Sequence, residues 1–185
     1  MGNHNLKLAI SVLALVLAPG LRAADKKGTS ALSNGPANVD KITREVRHEL
    51  VVQPYYGVFD DLSYSVNGSE VSLFGSVVTP ALKSDVEKSV KRIEGVTKVE
   101  NNIKVLPPSS MDDQIRRAEY RAIYSRPELQ RYSMRAIPPI HIIVDGGHVT
   151  LDGVVDSQAD KTVAGVAANS VSGIFSVDNN LAMGQ

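Results

Sequence analysis

The sequence predicts an α+β protein made of two tandem small αββαβ domains, each a three-stranded mixed sheet packed on two helices. Three observations predict this fold: an internal repeat, apolar spacing that switches between strand and helix periods, and glycine-containing turn signals at matching places in both copies. The 185 residues, 43% hydrophobic and 22% charged, are enough for one ordinary domain or two small ones.

The repeat follows one register over most of the chain. The pattern Val-x-Leu-x-Gly-x-Val of residues 71–77 recurs at residues 149–155, about 78 residues later. The same offset pairs Gly75 with Gly153, Gly95 with Gly173, Asn101-Asn102 with Asn179-Asn180, and the hairpin tips Asn67-Gly68 and Asp145-Gly146. So many matches without a gap indicate that one module was duplicated.

Copy one (residues 39–106) predicts the order helix, strand, strand, helix, strand. Stripes spaced by three or four residues predict the helices, and alternation predicts the strands. Asn67-Gly68 favours a tight turn, Thr79 and Pro80 favour the start of the second helix, and Gly95 its end. The apolar positions are Val39, Ile42, Val46 and Leu50; Leu62, Tyr64 and Val66; Val71, Leu73 and Val77; Leu82, Val86, Val90 and Ile93; and Val99, Ile103 and Val105.

Copy two (residues 111–183) follows a Pro-rich linker (107–110) and repeats the order, with Ser157 and Gly173 bounding its second helix. It is about five residues longer between the first helix and the hairpin, where loops tolerate insertions. A strand–helix–strand connection normally crosses over right-handed, so each copy should combine an antiparallel hairpin with a parallel pair. The apolar positions are Met111, Ile115, Ala118 and Ala122; Ile140, Ile142 and Val144; Val149, Leu151 and Val155; and Ala159, Val163, Val166 and Ala167.

The N-terminal residues resemble a secretory signal (1–23), cut after Ala23 and followed by a flexible linker (24–38). Lys7 precedes an apolar run that is too short to span a bilayer and that ends at Pro19-Gly20. Removal of residues 1–23 takes away two basic residues from a chain with 20 basic and 20 acidic ones. The mature chain is therefore expected to be soluble, slightly acidic and without a transmembrane segment.

The ordered pattern of hairpin, helix, glycine and Val-x-Asn resembles the BON domain, in both copies. The resemblance covers nearly all of the predicted mature chain, and a signal followed by two such domains is similar to the tandem periplasmic type of this family. It implies a non-enzymatic periplasmic protein associated with phospholipid binding and with envelope or osmotic stress. Cysteine is absent, so the chain departs from the lipid-anchored branch of the family.

Residue patterns of catalysis are missing from the sequence. The absence of Cys excludes disulfides, thiolate chemistry and Cys-based metal sites. Nucleotide-binding glycine loops, a Gly-x-Ser-x-Gly elbow and His-Glu-x-x-His are absent too. His141 and His148 bracket the second hairpin, and we interpret them as solvent-facing residues rather than a metal site. We therefore expect no enzyme activity, no cofactor and no metal.

Two acidic pairs and two Asn pairs are interpreted as structural. Asp60-Asp61 lies in a loop before a strand, and Asp112-Asp113 lies in the first turn of a helix, where acids favour the helix dipole. Asn101 and Asn179 should hydrogen-bond the loop at the end of the preceding helix. With Gly75, Gly95, Gly153 and Gly173 they form the structural motif of the repeat.

The candidate binding residues lie between residues 114 and 137, where arginines alternate with tyrosines. Arg117, Tyr120, Arg121 and Tyr124 are predicted to share one face of a helix, away from the apolar stripe. Three interpretations remain open: a solvated face with Arg–Glu pairs, a site for anionic lipid headgroups, or a protein-partner surface. The candidate residues are Arg117, Tyr120, Arg121, Tyr124, Arg126, Arg131 and Arg135.

These observations favour a non-enzymatic periplasmic envelope protein that binds anionic phospholipid headgroups through copy two. The alternative is a protein–protein interaction module that supports envelope assembly or folding. Export and the near-neutral pI of about 6.9 argue against nucleic acid as a partner. The sequence leaves the oligomeric state open.

Overall fold

Two sheets of the same topology, each covered by helices on one face, make up residues 36–184, which the computed structural model describes. The predicted signal (1–23) and most of the predicted linker (24–38) lie outside the described residues. The α+β class and the tandem arrangement are therefore confirmed.

Copy one consists of α1 (Pro36–Val51), β1 (Asp61–Asn67), β2 (Glu70–Val77), α2 (Pro80–Lys91), β3 (Lys98–Asn101) and β4 (Lys104–Val105). The central strand β2 is antiparallel to β1 and parallel to both β3 and β4. The predicted third strand is thus broken into two short strands, and the sheet counts four rather than three.

Copy two consists of α3 (Ser110–Tyr124), α4 (Gln130–Ser133), β5 (Ile140–Asp145), β6 (His148–Val155), α5 (Gln158–Asn169), β7 (Ser176–Asn179) and β8 (Ala182–Met183). Its central strand β6 pairs with β5, β7 and β8 in the same way. The short helix α4 was not predicted. It lies in the longer segment of copy two, where Leu129 and Tyr132 are buried.

The repeated Asn holds the break in the third strand. The side-chain NH₂ of Asn101 donates to Lys83 O at 3.1 Å, and its side-chain oxygen accepts from Ile103 N at 3.2 Å. In copy two Asn179 donates to Lys161 O at 2.8 Å and accepts from Leu181 N at 3.3 Å. Both side chains thus bind the first turn of the preceding helix, and the predicted hydrogen bond to the loop at the end of that helix is not the one observed.

The repeated strand glycine is required by a close backbone approach. Gly75 and Gly153 have φ of 113° and 124°. A Cβ at Gly75 would lie 2.1 Å from Asp61 O, and one at Gly153 would lie 1.9 Å from Pro139 O. Each glycine therefore allows the backbone at the start of the first hairpin strand to lie close to the central strand.

The helix and turn boundaries differ slightly from the predictions. Thr79 and Ser157 are the N-caps of α2 and α5, but only Ser157 accepts a cap hydrogen bond, from Asp160 N. The C-caps of α2 and α5 are Arg92 and Ser170, so Gly95 and Gly173 lie three residues beyond the C-caps, with φ of 92° and 85°. Pairing of Asn67 with Glu70 leaves Gly68-Ser69 as the two-residue loop of the first hairpin.

The buried face of α3 differs from the predicted stripe. Ile115 is buried, but Met111 is exposed and Ala118 and Ala122 are only half-buried. The core side is completed by Glu119, Ile123 and Tyr124, among others. Matched turn by turn, the buried positions of α1 and α3 pair Ile42 with Ile115, Val46 with Glu119 and Leu50 with Ile123.

The α1–β1 loop of copy one packs against copy two. Ile142 N donates to Val58 O at 2.8 Å, and Val58 and Phe59 pack against the core of copy two. Tyr56 stacks on His141, with ring centroids 5.4 Å apart. Lys104 forms an ion pair with Asp145. These contacts join the two copies through the loop and through the edge of β5.

Candidate functional site

Two arginines on the outer face of α3 form the centre of the candidate site. Arg117 and Arg121 are one helical turn apart and both are exposed. Within residues 36–184 neither guanidinium is paired with a carboxylate. An Arg side chain in this state keeps its five N–H donors available for a planar anion such as a phosphate.

An apolar cavity of about 260 Å³ lies beside these arginines. It is lined by Val58, Phe59, Tyr120, Arg117 and Arg121. The rings of Phe59 and Tyr120 meet edge to face, with centroids 6.4 Å apart. Val58 and Phe59 could not be predicted as site residues, because they belong to a loop of copy one and reach the site only through the packing of the copies.

The tyrosines do not share the exposed face that the sequence predicts. Tyr120 is half-buried and lines the cavity. Tyr124 is buried, its hydroxyl donates to Ile140 O at 2.7 Å, and burial raises its pKa. The prediction that Tyr124 lies on the exposed face is therefore wrong. Its ring extends the core of copy two, because the helix buries the side next to Ile123.

The remaining arginines divide into occupied and available groups. Arg131 donates to Asp160 at 2.7 Å and to Asp156 at 3.2 Å, and it lies over the ring of Tyr132. Its charge is therefore already compensated. Arg126 and Arg135 are exposed, and Arg135 lies 5.9 Å from the centroid of the Tyr132 ring. Within residues 36–184 the candidate arginines without a carboxylate partner are therefore Arg117, Arg121, Arg126 and Arg135.

One residue of each acidic pair, Asp60 and Asp112, holds a loop in place. Asp60 is buried and accepts from Val78 N at 2.8 Å and from Gly57 N at 3.1 Å; burial raises its pKa. Asp112 is buried and accepts from Gly146 N and Gly147 N at 3.0 and 2.9 Å. Asp112 therefore does more than favour the helix dipole, because it fixes the turn of the β5–β6 hairpin, whereas Asp113 is exposed and pairs with Arg116 at 2.6 Å.

The two histidines have different surroundings. His148 is exposed and lies 2.8 Å from the Ser176 hydroxyl. His141 is buried against Tyr56, and its Nδ1 has no hydrogen-bond partner among the described residues. The interpretation of His141 as solvent-facing is wrong, because copy one covers that part of the sheet. In residues 36–184 no three acidic or imidazole side chains come together as a metal site would require.

Glu119 is the most unusual ionisable group near the site. Its side chain is fully buried in α3, and neither carboxyl oxygen has a hydrogen-bond partner within residues 36–184. Burial raises the pKa of this carboxyl to about 7. The sequence alone does not indicate that Glu119 faces the core, and only the register of α3 shows it.

Among the described helices, none has the length and apolar character needed to cross a bilayer.

Comparisons with known proteins gave two solved chains and one family model. Two solved chains are similar to this one, both from CdsD, a structural protein of the type III secretion system of Chlamydia trachomatis, the second being its C-terminal domain. Both are 12% identical; they cover 77% and 82% of this chain and 91% and 99% of their own, with TM-scores of 0.29 and 0.26. No curated protein sequence matches the chain. The model of the BON domain matches residues 38–107 and 126–185, and the chain therefore belongs to the BON domain family, with two copies in tandem.

Proposed function

We propose that this chain is a non-enzymatic envelope protein that binds anionic phospholipid surfaces through α3 of copy two. The BON family is a binding-type family associated with phospholipids and envelope proteins. The observation that carries the proposal is the pair Arg117 and Arg121, exposed and free of carboxylates within residues 36–184, on the rim of an apolar cavity.

The geometry suits a lipid headgroup better than a soluble anion. The two guanidinium groups provide donors for phosphate oxygens, and the cavity walls Val58, Phe59 and Tyr120 offer apolar contact beside them. Aromatic side chains with a polar end favour the region where a membrane turns from polar to apolar. The arrangement therefore combines the two contacts that an interfacial protein needs.

The expected binding is reversible and sensitive to salt. Each basic residue near an anionic surface contributes about 1 kcal/mol, so Arg117, Arg121 and Arg126 together supply only moderate affinity. Their exposed charges are screened over roughly 10 Å at 0.1 M salt. We further propose that the chain acts in the periplasm, after removal of residues 1–23, during envelope or osmotic stress.

Flotation with liposomes tests the proposal. A chain that begins at Ala24 is mixed with neutral or anionic vesicles at low and at moderate salt, and the fraction that floats is measured. We expect flotation only with anionic vesicles, a steep loss with salt, and loss in an Arg117→Glu/Arg121→Glu variant.

A matched variant separates local contact from overall charge. Arg44→Glu/Arg92→Glu makes the same change of charge at two exposed positions of copy one, and we expect it to float nearly as well as the unchanged chain. Equal losses of flotation in both variants would show that the net charge of the chain, and not the surface of α3, determines binding. Absence of flotation in every condition would rule out the lipid surface and leave the protein–protein module, whose packed interface should depend little on salt.

A further inference from the structure

A groove in copy one lies between the C-terminal half of α1 and the free edge of β1. Its volume is about 340 Å³. Apolar and aromatic side chains line it, and Arg47 is exposed at its rim. The lining residues are Arg47, Leu50, Val51, Tyr56, Leu62 and Tyr64.

Within residues 36–184 the outer backbone of β1 is open at Tyr64 and Val66, while Leu62 is within hydrogen-bond reach of Tyr56. Asn67 pairs with Glu70 across the two-residue loop. Because hydrogen-bonded positions alternate along an antiparallel pair, the backbone N–H and C=O groups of Leu62, Tyr64 and Val66 point away from β2. Among the described residues no hydrogen bond reaches these groups of Tyr64 or Val66. Residues 62–66 carry no charge and no proline, the usual means by which proteins protect an edge strand.

The equivalent edge of copy two is occupied. Tyr124 donates to Ile140 O at 2.7 Å, and Arg116 donates to Val144 O at 2.7 Å. Between them Ile142 N donates to Val58 O at 2.8 Å. By the repeat, Ile142 corresponds to Tyr64. The α1–β1 loop of copy one therefore covers the edge of β5 at the position that is open in β1.

The occupying segment shows what this kind of groove accepts. Val58 provides the backbone carbonyl, and Val58 and Phe59 pack their side chains against the core of copy two. Asp60 and Asp61 follow directly. In copy one no preceding repeat exists within the described residues to supply such a segment.

We propose that the groove of copy one binds an extended segment of a partner protein, which pairs with the open edge of β1. The segment offers a carbonyl to Tyr64 N–H, inserts an apolar residue followed by an aromatic one, and places an acidic residue near Arg47. Backbone pairing supplies the affinity and the groove selects the side chains, as in other cases of strand addition. This site is separate from the lipid surface proposed for copy two.

A peptide with the sequence of residues 54–61, labelled with a fluorophore, is the probe. Its fluorescence anisotropy is measured against the chain that begins at Ala24, with a scrambled peptide as control. We expect saturable binding of the native order only. In amide NMR spectra, the shifts should concentrate on Tyr64 and Val66.

Two neighbouring variants provide a matched pair. Val51 and Val52 are 46% and 51% exposed, but only Val51 lines the groove. Val51→Glu should weaken binding by about tenfold, because it places a carboxylate against apolar side chains and an acidic partner, whereas Val52→Glu should leave it unchanged. Arg47→Ala removes only an exposed side chain and should weaken binding by about threefold, so the test does not depend on the folding of one variant.

Two results would overturn the proposal. One is equal binding of the native and scrambled peptides, or equal effects of Val51→Glu and Val52→Glu. The other is a dimer in sedimentation experiments that Val51→Glu dissociates, because it would assign the groove to a second copy of this chain. Neither result bears on flotation with liposomes, so the two proposals can fail separately.

Discussion

Glu119 in α3 occupies the position that Val46 occupies in α1, and both side chains are fully buried. One copy of the module therefore has a valine where the other has a carboxyl group without a hydrogen-bond partner in residues 36–184. Burial of such a group disfavours its charged form, and this raises the pKa of Glu119 from 4.5 to about 7.

The raised pKa makes stability depend on pH. Between pH 4.5 and pH 7 the folded chain keeps the Glu119 proton while the unfolded chain releases it. This contribution to the free energy of unfolding therefore falls as the pH rises through that range. At about 1.4 kcal/mol per pKa unit, the full loss above pH 7 is about 3 kcal/mol.

We expect Glu119→Gln to remove most of this dependence. Urea unfolding at pH 5 and pH 8 measures it: the variant should gain stability at pH 8 relative to the unchanged chain and little at pH 5. Glu128→Gln, at an exposed position, is the control and should follow the unchanged chain. A parallel pH dependence in all three proteins would show that Glu119 is not the group responsible.

The strand glycines allow a prediction about backbone packing. Gly153→Ala places a Cβ 1.9 Å from Pro139 O, and Gly75→Ala places one 2.1 Å from Asp61 O. Because the backbone has to move, each change should lower the free energy of unfolding by roughly 3 kcal/mol or more.

Gly173→Ala is the control for these glycine variants. Its φ of 85° is also positive, but apart from its two chain neighbours no part of residues 36–184 lies within 4 Å of the added Cβ. It should cost only about 1 kcal/mol, the usual penalty of a left-handed conformation. If urea unfolding shows that Gly153→Ala and Gly173→Ala lower the free energy of unfolding equally, the close backbone approach is not what requires the strand glycine.

Asp112 predicts a difference between the two hairpins. It accepts hydrogen bonds from Gly146 N and Gly147 N. In the first hairpin, no side chain among the described residues accepts a hydrogen bond from Gly68 N or Ser69 N. Amide hydrogen exchange should therefore be slower at Gly146 and Gly147 than at Gly68 and Ser69.

Asp112→Ala should make the exchange at Gly146 and Gly147 as fast as at the first hairpin. The loss of two charge-assisted hydrogen bonds should also lower the free energy of unfolding by about 2 kcal/mol. Asp178→Ala, at an exposed position, should change neither quantity. Persistent protection in Asp112→Ala would mean that the hairpin itself, and not Asp112, slows the exchange.

The elements of this fold could be predicted from the sequence because each depends on local spacing. The stripe Ile42, Val46 and Leu50 predicts α1, and the alternation around Asn67-Gly68 predicts the first hairpin. The repeat predicts that copy two has the same topology, and the positions of its strand glycines are conserved between the copies for the steric reason found above. The candidate arginines Arg117 and Arg121 could also be predicted, since two charges one turn apart share a helix face.

The orientation of α3 and the packing of one copy on the other were decided only by the tertiary structure. Spacing cannot tell that Tyr124 and Glu119 face the core, because a helix with mixed residues on several faces has more than one acceptable buried side. Nor can it tell that Val58 and Phe59 complete a cavity with Tyr120, or that Tyr56 covers His141. These contacts join residues far apart in the chain, and the free energy that selects them comes from burial between surfaces that exist only after each copy has folded.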